Sequence, residues 1–146
     1  MSFRFPLAAV LRYREELESR EERVLEQHRE QLALLQAELA RLKQNRTQLV
    51  DERSELLRLG LLGNDLHHLE FQQQLLDASE EDLRQKIAAA QAAYNQQMSI
   101  FLTARQKREI LVELRDSRKA AYLEQLNRRE QQKIDEMFSA RRSREK

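Results

Sequence analysis

Cysteine is absent from this chain of 146 residues, glycine occurs twice and proline once. Without cysteine there is no disulfide, no thiol nucleophile and no thiolate zinc site. Two glycines cannot supply the GxGxxG loop of a dinucleotide fold, and no GxxxxGK[ST] phosphate loop is present. Tryptophan is missing and aromatics make up only 5% of the chain. A deep pocket lined by large rings is therefore not expected, and neither is a cofactor or a catalytic centre. No apolar run approaches the roughly 18 residues that span a bilayer. The opening residues, Met1 to Leu7, lack the apolar core and small-residue cleavage site of a signal peptide. A cytoplasmic, soluble protein is expected, with no direct membrane insertion. Charge of one sign is also missing: 26 Lys and Arg stand against 25 Asp and Glu, a net of +1. That balance gives no chain-wide attraction to nucleic acid, so none is expected as a partner.

What the chain has in quantity is Ala, Glu, Leu, Arg and Gln, with 35% of residues charged and a mean hydropathy of -0.81. This is the composition of long helices or a coiled coil. Pro6 suits a first helical turn, where its missing N–H costs nothing. Gly60 follows Leu59 where a left-handed residue ends a helix, and Asn64 or Asp65 suits the N-cap of the next. The expected fold is all-α, one antiparallel two-helix coiled-coil hairpin over residues 1–146. Helix one spans about 6–59, the turn 60–64, the longer helix two about 65–141, and a basic tail 142–146. Leu61 and Leu62 sit at the tip and cap the hairpin core, a docking role being the alternative.

Heptads run along both arms. Val10, Leu17 and Val24 form a first row. The stripe then moves by one position to Leu25, Leu32 and Leu39, with His28, Leu35, Leu42, Leu49 and Leu56 offset by three. Such a phase shift predicts imperfect heptads. Arg46 and Arg53 make the seam polar near the turn. On helix two, Leu69, Leu76, Leu83, Ala90, Ala104 and Leu111 share a row that Gln97 interrupts. Ile87, Tyr94 and Phe101 make the second row, which turns into Arg108 and Arg115. Phe3 and Phe5 alternate ahead of Pro6 as a short extended cap. His28 reads as a packed polar seam residue, and the adjacent His67 and His68 point about 100° apart, too far to chelate one metal.

The arms are unequal. With the turn near residue 62, antiparallel partners have numbers summing to about 124, and helix one runs out opposite residue 118. Roughly 28 residues of helix two are left over, about 40 Å at 1.5 Å per residue. They carry Tyr122, Leu126, Ile134, Met137 and Phe138 at helical spacing, an apolar stripe with no partner inside the chain. A basic end follows, with Arg141, Arg142 and Arg144.

Both ends of the sequence carry a recognisable pattern. The start, Phe3-x-Phe5-x-Leu7-x-x-Val10-Leu11-x-x-Arg14, resembles the N-terminal signature of the flagellar FliJ family. Gln131-Gln132-Lys133-Ile134-Asp135-Glu136 resembles that family's QKxxDE element. The resemblance implies a non-enzymatic, stalk-like coiled coil of the flagellar type III export apparatus, similar to the rotor stalk of rotary ATPases. It implies binding to the hexameric export ATPase FliI and the export gate FlhA, escort of export chaperones, and peripheral association with the inner face of the cell membrane. Tyr122, Leu126, Lys133, Ile134, Asp135, Glu136, Met137, Phe138, Arg141 and Arg142 are the expected ATPase-facing residues. Phe71 and Leu75 resemble the gate-binding Phe-x-x-x-Leu of the family's second helix, with Leu42 as the match on the first. The corresponding stalk of a virulence type III system, a generic coiled-coil scaffold dimer and a helical nucleic-acid binder are the competing readings.

Overall fold

The computed structural model describes residues 2–60 and 63–145. Two helices pack against each other, α1 (Ala8–Leu59) and the longer α2 (Gly63–Glu145), with no strand among the described residues. Helix is continuous because nothing interrupts it: each arm lacks internal Gly and Pro, and its residues are mostly strong helix formers. Gly60 ends α1 with φ at +83°, the left-handed conformation that a Cβ would strain. Leu61 and Leu62, read as the tip, lie outside the described residues. Helix α2 already begins at Gly63, so Asn64 and Asp65 sit in its first turn and do not cap it, although Asp65 still complements the positive helix end. At the other end helix continues through Arg142 and Arg144 to Glu145, where a tail was expected. Those arginines favour helix in the last turn because they oppose its partial negative charge.

The two helices form two compact units, residues 21–101 and residues 1–20 with 102–146. In the first unit, every seam position is buried or half-buried. On α1 these are Glu21, Leu25, His28, Leu32, Leu35, Leu39, Leu42, Arg46, Leu49, Arg53 and Leu56. On α2, Leu69, Leu76, Leu83, Ala90 and Gln97 alternate with Gln73, Glu80, Ile87, Tyr94 and Phe101. Leu25, Leu69 and Leu83 are the most covered apolar residues. Burying a leucine of this kind contributes roughly 1.5–3 kcal/mol.

The seam positions that lack an apolar side chain are filled by polar pairs. Gln97, 7% exposed, donates from Nε2 to the Glu21 carbonyl oxygen at 3.2 Å and to Glu21 Oε2 at 2.5 Å. Arg53 donates to Gln73 Oε1 at 3.3 Å. Arg46 reaches both Asp77 and Glu80, and Arg84 Nη2 meets Glu80 Oε1 at 2.7 Å. Glu80 is a buried carboxylate, 7% exposed. The Arg84 hydrogen bond and, after it, the charge of Arg46 hold its carboxyl below the ordinary range, against the opposing effect of burial. A seam that looks weakened by Arg46 and Arg53 in the sequence is therefore bridged by ionic and amide contacts at those positions.

In the second unit, Leu11, Arg14 and Glu18 of α1 continue the same two seam rows toward the N-terminus. The heptads do not shift. Leu11 is buried while Val10 is 42% exposed, and Leu17 and Val24 flank the seam. The apparent shift arises because Glu18 and Glu21 occupy seam positions, so the apolar flank stands out in their place. Glu18 has its partner in Arg108, one of the arginines that turn the α2 row polar. Ala104 is the most buried residue on the facing side.

Candidate partner-binding surfaces

Ahead of α1, residues 2–7 form a short strap. Phe3, Phe5 and Leu7 are half-buried, and Ser2, Arg4 and Pro6 between them are exposed. This alternation is that of an extended segment laid along a surface. The Phe3 ring stacks at a tilt on Tyr122, centroids 5.7 Å apart, and the Arg118 guanidinium lies 5.9 Å from the Phe5 ring centre. The strap turns into α1 through the Ala8 N–H donating to the Phe5 carbonyl at 3.1 Å.

The strap changes the length of the unpaired stretch. Pairing does not stop at residue 118: Tyr122 is covered by Phe3, and Leu126 is half-buried. Every residue from 127 to 145 is exposed. The expected stripe consequently falls into two parts. Tyr122 continues the seam row of Phe101, Arg108 and Arg115, with Leu126 on its flank. Beyond it the seam positions become Gln125, Arg129, Gln132, Glu136, Ser139 and Ser143, all polar. Ile134, Met137 and Phe138 belong to the outer heptad positions, on the side of α2 turned away from the seam, and are 48%, 67% and 64% exposed.

Lys133, Asp135, Glu136, Arg141 and Arg142 are likewise exposed, and Gln131 donates to Asp135 Oδ1 at 3.4 Å across one turn. The expected ten-residue set is thus not one face. Leu123, 49% exposed and fourteen residues before Met137 on the same row, is a further apolar member of the outer face. Phe3, expected as part of a short extended cap, closes over Tyr122.

In the unit of residues 21–101, Phe71 and Leu75 lie one helical turn apart and are exposed. Leu75 borders an open groove of about 330 Å³ together with Leu49, Leu76 and the polar Asn45, Gln48, Glu52, Gln72 and Ser79. Leu42 is half-buried and borders a second groove of about 280 Å³ that shares Asn45 and Ser79 with the first. Leu42 and Leu75 therefore open toward the same side of the helix pair. Phe71 does not line either groove.

Among the described residues, no helix is long and apolar enough to cross a membrane, and no three His, Asp or Glu side chains are grouped to hold a metal. What the surfaces offer is contact area: apolar residues on outer helical positions, open grooves and alternating charge. No curated protein and no solved structure matches the chain. A family model does, that of the flagellar FliJ protein, over residues 3–146. The match takes in the strap, both helices and the exposed end of α2, and the chain belongs to the FliJ family of non-catalytic flagellar export components.

Proposed function

We propose that this protein works as a stalk of the flagellar export apparatus, binding the hexameric export ATPase FliI through the free end of α2. The observation that carries the proposal is the fully exposed helical stretch 127–145, which keeps Ile134, Met137 and Phe138 in solvent beside Arg141 and Arg142. A helix that presents large apolar side chains and has no partner within its own chain is suited to docking in a groove. Family membership supplies the export context. The same reading gives the protein a peripheral position at the inner face of the cell membrane, reached through its partners and not by insertion.

The side of the helix pair bearing Leu42, Phe71 and Leu75 is proposed to meet the export gate FlhA, with the two adjoining grooves accepting side chains from it. Escort of export chaperones belongs to the same proposal, with no surface assigned to it. Co-purification with the cognate export ATPase, read by stimulation of ATP hydrolysis, tests the main assignment. The full chain is expected to bind and stimulate, and a chain truncated after residue 126 to do neither. Retention of both by the truncated chain would refute it. For the gate, the double substitution Phe71→Ala and Leu75→Ala is expected to weaken capture by the cytoplasmic part of FlhA while leaving ATPase stimulation intact.

A further inference from the structure

We infer that the partner of α2 is read by the outer face alone, through Leu123, Ile134, Met137 and Phe138 with Arg141 at the end of the row, and that Tyr122 and Leu126 do not touch it. This rests on the assignment of the ATPase as partner and specifies which residues meet it. Tyr122 is occupied by Phe3. The seam positions that follow it, from Gln125 to Ser143, bear no apolar side chain, so extending the seam offers a partner nothing to bury. On the opposite side the pattern inverts. Outer heptad positions of a coiled coil are ordinarily polar because they face water, and here they hold three large apolar residues within two turns.

Charge and size narrow the occupant. Four apolar side chains on a single exposed helix fall well short of the roughly 800 Å² per partner of a stable interface. A second copy of the same stripe therefore does not suffice. The remainder has to come from ionic contacts, and Arg141 and Arg144 continue the row on the C-terminal side of Phe138. The partner surface that fits is an apolar groove of the ATPase with carboxylates at the end where these arginines emerge. Helix-in-groove recognition of this type uses anchors spaced three and four apart, as Ile134, Met137 and Phe138 are.

The test titrates full-length variants against the cognate export ATPase, reading affinity and stimulation, with helix content followed by circular dichroism. Ile134→Asp and Phe138→Asp are each expected to weaken binding about tenfold or more, as anchor substitutions do. Arg141→Glu is expected to weaken it and to flatten its dependence on salt. Gln132→Asp and Ser139→Asp, on the seam side of the same turns, are expected to bind like the parent. Equal losses on both sides, or none on the outer side while truncation after residue 126 still abolishes binding, would overturn the inference and leave the ATPase assignment standing. Absence of binding by the parent chain would overturn both. Sedimentation of the free protein is expected to give a monomer. A dimer abolished by Ile134→Asp would make a second copy the occupant, and would also overturn the inference.

Discussion

Residues 102–122 and 127–145 of α2 belong to one uninterrupted helix, yet only the first places apolar side chains on the seam. In the first stretch Ala104, Leu111 and Tyr122 face the seam, and Arg108 is held there by Glu18. In the second the seam row is polar throughout and the apolar residues stand on the outside. Both stretches also expose apolar side chains, Leu102 and Ile110 in the first, so exposed apolar residues alone do not tell a segment that folds within the chain from one that docks elsewhere. The heptad position does.

The comparison can be broken most sharply by removing a seam leucine. Leu25→Ala or Leu83→Ala is expected to cost about 2–5 kcal/mol, read as a lowered midpoint in urea or thermal unfolding. Ile134→Asp is expected to change that midpoint by less than about 0.5 kcal/mol, since its side chain is in solvent in the free protein. A large loss at Ile134 would show that the outer face is covered from within.

A smaller effect is expected at the junction of the two stretches. Phe3→Ala removes the ring on Tyr122 and should lower stability by about 0.5–1.5 kcal/mol, and Tyr122→Ala by more because the ring also fills the seam. The double substitution should lose less than the sum of the two, which a double-mutant cycle measures. Strict additivity would mean that the strap does not rest on Tyr122.

The mildest test is pH. Glu80 is held below the ordinary carboxylate range, so its contribution is complete above that range and fades as pH falls through its lowered value. Unfolding midpoints of the parent should therefore drop in acid more steeply than those of Glu80→Gln. Parallel pH profiles would show that the contacts with Arg84 and Arg46 add nothing to stability.

Much of this was legible in the sequence. Gly60 marks the end of α1 because a left-handed residue is required there, and the leucine rows from Leu25 to Leu56 are the α1 seam. The misreadings share one cause. Sequence patterning locates a seam by its apolar residues, and here several seam positions are Arg, Glu or Gln that find partners on the other helix. Glu18, Glu21 and Glu80 are seam residues only because Arg108, Gln97 and Arg46 lie opposite them. No local pattern announces those pairings. The same bias joined Tyr122 and Leu126 to Ile134, Met137 and Phe138 as one stripe, since spacing of three and four occurs on every side of a helix.

The contact of Phe3 with Tyr122 also has a bearing on synthesis. It joins the first residues of the chain to others more than a hundred positions later, a high-contact-order closure. During translation, at about 5–20 residues per second, the pairs within residues 21–101 can form while the strap still has nothing to rest on. Phe3 and Phe5 stay unburied until Arg118 and Tyr122 have left the ribosome. The aromatic strap is therefore among the last pieces to close, and for several seconds its rings remain exposed.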